Sequence, residues 1–176
     1  MANIVKQVSP TISSSYSGKS EPFEPYIVCF ACNWCTYTGS DQAGRSRMQR
    51  PANVRIIRVM CSGRVEVEYA VEALKRGADG VVIGACHIGD CHYLSGNHKS
   101  VRRFAVAKQL VAQYGINPAR LQFWHISASE GAEFTARIKE YVKELRELGP
   151  SPLKSMAQHQ YSSIGVASDP NQEGSL

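Results

Sequence analysis

Along the chain, short continuous apolar runs alternate with apolar residues spaced three and four apart. Pro25-Tyr-Ile-Val-Cys-Phe-Ala-Cys32 predicts a buried strand, with Cys29 inside it and Cys32 at its end. Val54-Arg-Ile-Ile-Arg-Val-Met60 predicts a second strand, ending at Cys61. The run after Asp79 predicts a third, from Val81 to Ala85, and Leu121-Gln-Phe-Trp-His-Ile126 a fourth. Helical stretches lie between them. Ser40-Asp-Gln-Ala43 suggests a start after Gly39, with Pro51 stopping the helix after about Gln49. Ser62-Gly63 offers a second N-terminus, Val67, Ala70, Val71 and Leu74 recur at helical spacing, and Gly77 supplies the C′ residue. Val101, Phe104, Ala107, Val111 and Tyr114 mark one face of a third helix, closed by Gly115. Ser127 to Glu130 has capping-box spacing, and Phe134, Ile138, Tyr141, Val142 and Leu145 carry the last helix to Gly149-Pro150.

Four strand–helix repeats call for an α/β fold. The expected form is a doubly wound parallel sheet of about four strands, flavodoxin- or Rossmann-like, with helices on both faces and right-handed crossovers. Residues 1–24 are rich in Ser and Pro, lack periodicity and read as a flexible N-terminal arm. Residues 25–150 form the α/β domain, and residues 151–176 read as a flexible C-terminal tail.

At 176 residues and 43% hydrophobic content, the chain suits one domain with a core of its own. The net charge of +5 is spread without a dense basic run, so nucleic-acid binding is not favoured. A basic rim facing an acidic partner or an anionic cofactor fits equally well. There is neither an apolar run of membrane-spanning length nor a signal-peptide h-region, so the expectation is no membrane association and a cytoplasmic location.

The cysteines change this picture most. In a parallel sheet the carboxyl ends of all strands share one edge, where ligands normally bind. Cys32 and Cys35 follow strand one, Cys61 ends strand two, and Cys86 and Cys91 follow strand three, so five thiols converge. Cys29, three residues back within its strand, reads as a packed core thiol. The absence of a signal-peptide pattern, with all six cysteines falling between residues 29 and 91, points to metal or redox use rather than disulfides. A C-x-x-C pair joined to a C-x-x-x-x-C pair favours an iron–sulfur cluster over zinc. Two alternatives stand beside this. A thiol–disulfide oxidoreductase using Cys32 and Cys35 leaves Cys61, Cys86 and Cys91 without a role, and a zinc-stabilised interaction module is the other. His87 and His92 read as hydrogen-bond donors near the thiols or exposed loop residues, with Rieske-type ligation as the rival reading. Asp90 is expected to accept loop amides, and Gly84, Gly89 and Gly96 to permit tight turns. Arg45, Arg55, Arg58 and Arg64 either soften the charge of a cluster or sit on exposed faces.

Four stretches carry a family resemblance: Cys32-Asn-Trp-Cys35-Thr-Tyr-Thr-Gly39, Arg55-Ile-Ile-Arg-Val-Met-Cys61-Ser-Gly-Arg64, Gly77-Ala-Asp-Gly-Val81, and Gly84-Ala-Cys-His-Ile-Gly-Asp-Cys-His-Tyr-Leu-Ser-Gly-Asn97. Together, over roughly residues 26–145, the chain resembles the delta subunit of methyl-viologen-reducing (F420-non-reducing) hydrogenase. The resemblance implies a small electron-transfer protein, without catalytic residues of its own, that carries one [2Fe-2S] cluster. Such a protein passes electrons from a hydrogenase, or in related assemblies a formate dehydrogenase, to the flavin-containing subunit of heterodisulfide reductase. By position the family's cysteines fall on Cys32, Cys35, Cys61, Cys86 and Cys91, with Cys29 outside the pattern. Four ligand places against five thiols favour Cys32, Cys35, Cys86 and Cys91, since each loop pair can chelate one iron. Cys61 is then a neighbour or an exchangeable fifth.

Overall fold

A computed structural model describes residues 23–154. The expected flexible segments 1–24 and 151–176 lie outside those residues, apart from Phe23, Glu24 and residues 151–154. Four strands, β1 (Ile27–Cys32), β2 (Val54–Val59), β3 (Gly80–Ala85) and β4 (Leu121–His125), make one sheet in the order β2-β1-β3-β4. Every pairing is parallel, with Cys32 opposite Val59, Ala31 opposite Gly84, and Ala85 opposite His125. The helices are α1 (Thr36–Arg45), α2 (Val67–Lys75), α3 (Gly96–Gln113) and α4 (Gly131–Leu148), joined by single 3-10 turns at Ser62–Arg64 and Pro118–Arg120.

Position in the sheet explains the composition of the strands. β1 and β3 are central and buried at every residue, so both read as unbroken apolar or small-residue runs. β2 lies at an edge and carries Arg55, Ile57 and Arg58 exposed. The twofold alternation of strand side chains then builds two cores. Val28, Phe30, Val81 and Ile83 pack with Ala70, Val71 and Leu74 of α2 and with Ala107 and Val111 of α3. Ile27, Cys29, Ala31 and Val82 point the other way, onto Phe134, Ile138, Tyr141 and Leu145 of α4. α1 packs beside α4. Cys29 is fully buried in this second layer, and burial pushes its thiol up to about 12.

Three helices differ from the sequence expectation: α2 begins at Val67, the expected start at Ser62-Gly63 forming a separate 3-10 turn, and α1 ends at Arg45, short of Gln49. α1 begins at Thr36 rather than Ser40, because the C-x-x-C turn leads straight into it with Cys35 as the N-cap. Gly39 therefore lies inside the helix. It lets α1 approach the start of α4 closely, since a Cβ there would stand 2.7 Å from the Ser127 carbonyl oxygen. In α3 the inward face is Asn97, Ser100, Ala107 and Val111, whereas Val101 and Tyr114 are exposed. The first turns of α3 face the thiol loops instead of the apolar layer, so small and polar side chains occupy positions that helical periodicity assigned to hydrophobes.

The amino end of the sheet is locked by Asp79 and Arg120, whose role no local pattern in the sequence assigned. Asp79, fully buried, accepts from the amides of Tyr26 and Ser151, each at 2.9 Å, and from Lys154 Nζ at 3.0 Å. Arg120 donates to the carbonyls of Asp79 (3.0 Å), Gly149 (2.8 Å) and Pro150 (3.1 Å), and Tyr141 Oη donates to its carbonyl at 2.6 Å. Buried charges persist only when partnered in this way. Ser151 and Lys154 are thus fastened to the sheet beyond Pro150.

Candidate metal centre

The strand order reverses between β1 and β3, because the chain leaves β1 toward β2 and later returns to the other side of β1. Crossovers diverge from such a point, so a crevice opens at the carboxyl ends of these two strands. Cys32 is the last residue of β1 and Cys86 the first after β3, and their sulfurs are 3.8 Å apart. Cys35 closes the turn with its amide on the Cys32 carbonyl at 3.3 Å. The sulfurs of Cys32, Cys35 and Cys86 all lie within 4.8 Å of one another.

Cys61 and Cys91 form a second group beside these three. Cys61 Sγ accepts from the Gly63 amide at 3.4 Å. Gly96, at the start of α3, backs directly onto both: a Cβ there would stand 2.2 Å from Cys61 Sγ and 3.2 Å from Cys91 Sγ. Any larger residue would occupy the space the two sulfurs use. All five thiols are buried, the most exposed being Cys91 at 8%.

The acidities of Cys32, Cys35, Cys61 and Cys86 show that these thiols act on one another. A hydrogen bond from Cys35, with further ones from the amides of Trp34 and Ser62, holds Cys32 down at about 5 against its burial. Cys35, giving that hydrogen bond, is pushed well above the usual thiol range, and burial adds to the rise. Burial pushes Cys86 up to about 11 and raises Cys61, with neighbouring thiolate charge adding to both. Cys32 is thus the thiol whose ionised form its neighbours' hydrogen bonds favour. A cationic centre would let the others ionise, which is how thiolate sites take up metal. Two buried hydroxyls beside the group, Ser62 Oγ and Ser100 Oγ, have no hydrogen-bond partner among the described residues. The Ser62 amide already donates to Cys32, and Ser100 lies one helical turn beyond Gly96. Soft donors with spare hydroxyls beside them suit a thiolate-ligated centre whose sulfur atoms accept hydrogen bonds.

The remaining residues of the loop hold its shape. Asn97, fully buried, donates to the His87 carbonyl at 2.7 Å and accepts from the His98 amide at 2.9 Å. His125 Nδ1 lies 2.7 Å from the Cys86 carbonyl oxygen. His87 turns away from the thiols to Glu130, 2.7 Å from Nε2 to the carboxylate. The same Glu130 oxygen accepts from the Ser127 amide at 2.6 Å, so half of the expected capping box forms, one turn ahead of α4. His92 stacks on Trp34 at 3.8 Å between ring centroids. Neither His87 nor His92 joins the three-thiol group. Asp90 departs from expectation: it is exposed, and among the described residues its carboxylate takes no hydrogen bond, while its amide closes the turn on the His87 carbonyl at 3.0 Å. Gly89, at φ 99°, provides the left-handed residue of that turn. Of the four arginines only Arg64 reaches the site, lining a cavity of about 350 Å³ beside Cys61. Arg55 and Arg58 stack over Tyr26 and Tyr37, and Arg45 ends α1. Glu130 and Ser100 carried no functional signal in the sequence, and Ser62 and Asn97 were legible only as members of the resemblance stretches.

Fold and site together define a class: a doubly wound parallel α/β domain that presents buried thiols at its topological switch point. The family model for the delta subunit of methyl-viologen-reducing hydrogenase matches residues 27–149. The chain belongs to that family. It is 52% identical over 131 residues to the iron-sulfur subunit of the F420-non-reducing hydrogenase of Archaeoglobus profundus, covering 74% of this chain and 96% of that protein. The vhc iron-sulfur subunit of the F420-non-reducing hydrogenase of Methanococcus voltae is 49% identical over 135 residues, 77% of this chain and 94% of that protein. A chain of the ferredoxin:CoB-CoM heterodisulfide reductase of Methanosarcina mazei is 40% identical over 161 residues, 92% of this chain but only 20% of that much longer protein. Among the described residues no helix is long and apolar enough to cross a membrane.

Proposed function

We propose that the chain is a non-catalytic electron-transfer protein holding one [2Fe-2S] cluster. It would relay electrons from a hydrogenase or formate dehydrogenase to the flavin-containing subunit of a heterodisulfide reductase, in the cytoplasm. The observation that carries this reading is the convergence of five buried thiols at the switch point, three of them within 4.8 Å of each other. When bound, the cluster supplies one-electron transfer. The protein's part is to hold it. Cys32, Cys35, Cys86 and Cys91 are the ligand set, two from each loop. Cys61, its sulfur against Gly96 and the Gly63 amide, stands beside them as the fifth thiol. Ser62 and Ser100 supply hydroxyls for hydrogen bonds that tune the potential.

The names of the relatives support the partners. Several are hydrogenase iron-sulfur subunits, and in Methanosarcina a matching segment lies within a much longer heterodisulfide reductase chain. The test is anaerobic purification with iron and sulfide analysis, followed by reconstitution with hydrogenase and the flavoprotein. Two irons and two sulfides per chain are expected, and hydrogen-driven flavin bleaching should require the chain. Zinc as the sole metal, or equal bleaching without the chain, would overturn the proposal.

A further inference from the structure

We propose that the loops around the thiols form a docking face for an acidic surface on the flavoprotein partner, held by an exposed apolar ring and two unpaired cations. This rests on the electron-transfer reading above. The residues of the ring come from the same strand ends that deliver the cysteines. Trp34 (43% exposed) lies between Cys32 and Cys35, and Met60 (53%) precedes Cys61. Ile88 (53%), Tyr93 (48%) and Leu94 (87%) bracket Cys91. Exposed large apolar side chains gathered around one buried site mark an interaction surface.

Leu94 is the sharpest of these observations. It sits at φ 67°, a left-handed conformation that disfavours any residue with a Cβ, and its side chain is almost wholly in solvent. The Leu94 amide on the Cys91 carbonyl at 2.9 Å and the Ser95 amide on the Tyr93 carbonyl at 2.8 Å hold it there. Those bonds hold the backbone, but they leave the side chain in solvent, where a partner's apolar pocket would bury it.

Charge decides what kind of surface fits. The cavity beside Cys61 is walled by Met60 and Tyr93 and flanked by Arg64 and Lys99. Both cations are exposed and have no ion-pair partner among the described residues, unlike nearby Arg103, which pairs with Glu66 at 3.1 Å. Lys99 lies in the first turn of α3, where the helix dipole adds to the positive field. The exposed Asp90 between Ile88 and Cys91 offsets part of this charge, but the side of the face around the cavity stays positive, whereas Glu133, Glu140 and Glu144, with Arg137 among them, line a groove along β4 and α4. A carboxylate-bearing loop is therefore complementary to the thiol face and repelled by the distant groove. The choice of partner follows from the fused relatives, in which a matching segment is joined within one chain to the rest of a heterodisulfide reductase polypeptide.

The experiment measures the affinity of the full-length, cluster-loaded chain for the flavoprotein at several salt concentrations. Leu94→Asp and the double variant Arg64→Glu/Lys99→Glu should each weaken binding roughly tenfold or more, as hot-spot residues do. Wild-type affinity should fall with added salt, and the double variant should lose that dependence. Leu94→Gly relieves the backbone strain, so it should melt no lower than wild type yet bind more weakly. Iron content should be unchanged in all three. Tyr69→Asp, in the apolar groove between β2 and α2, should bind like wild type. Undiminished binding by Leu94→Asp and the double variant, no binding by wild type, or loss of hydrogenase binding in place of flavoprotein binding would overturn the proposal. If wild type reduces flavin but these variants bind as tightly, only the docking face fails. If wild type docks through this face but reduces nothing, only the relay reading fails.

Discussion

Gly96→Ala is the most direct probe of how the backbone shapes the thiol site. The added methyl would stand 2.2 Å from Cys61 Sγ and 3.2 Å from Cys91 Sγ, far inside the separation of about 3.5–4 Å at which such atoms rest. α3 cannot simply retreat, because Gly63 already packs against the backbone of Gly96: a Cβ on Gly63 would lie 2.7 Å from the Gly96 carbonyl oxygen. Either the Cys61 side chain leaves its position or the start of α3 shifts. Overpacking of this kind costs about 1–3 kcal/mol. At roughly 2–4 °C per kcal/mol for a domain of this size, the melting temperature of the metal-free protein should fall by about 2–12 °C. Iron retention in anaerobically prepared protein should fall as well, since both sulfurs of the second thiol group are displaced. Gly44→Ala is the matched control. It lies in α1, and nothing stands within 4 Å of the added methyl, so it should raise the melting temperature by the equivalent of about 0.4–1 kcal/mol. A Gly96→Ala protein that melts with wild type and keeps its full iron would refute the packing argument.

Three further outcomes are expected. Cys29→Ala should retain wild-type iron, because Cys29 packs in the α4-side core, whereas Cys86→Ser should strip or destabilise the cluster; metal analysis of the two variants decides it. A chain ending after Lys154 should unfold in denaturant like wild type. One ending after Pro150 should lose about 1–3 kcal/mol, because Asp79 stays buried without its Ser151 and Lys154 donors. Glu130 is held below the ordinary carboxylate range by the Ser127 amide first and by His87 next. A depressed folded-state value gives stability that is present above the unfolded value and lost as pH falls through the folded one. Acid melts should therefore show a small loss below the ordinary carboxylate range in wild type that Glu130→Gln lacks. Identical acid profiles would count against the contact.

The sequence alone determined the order of elements and, through it, the common edge for the thiols. Short apolar runs bounded by turn signals and alternating with helical stretches read as parallel strands, and parallel strands end together, so cysteines placed after three of them share one edge. The same alternation kept Cys29 apart, one residue type in two environments. What local pattern could not supply was the arrangement across chain separations. Cys32 and Cys86 are 54 residues apart, His87 and Glu130 are 43 apart, and Asp79 and Lys154 are 75 apart. The division of the thiols into a group of three and a pair depends on where Gly96 brings α3. The early start of α1 depends on Gly39 fitting against the start of α4. The polar inner face of α3 depends on its first turns meeting the thiol loops. Periodicity reports which side of an element is buried, but not what covers it. Close backbone approaches and buried charge locks exist only once the crossovers have brought distant loops to the same edge.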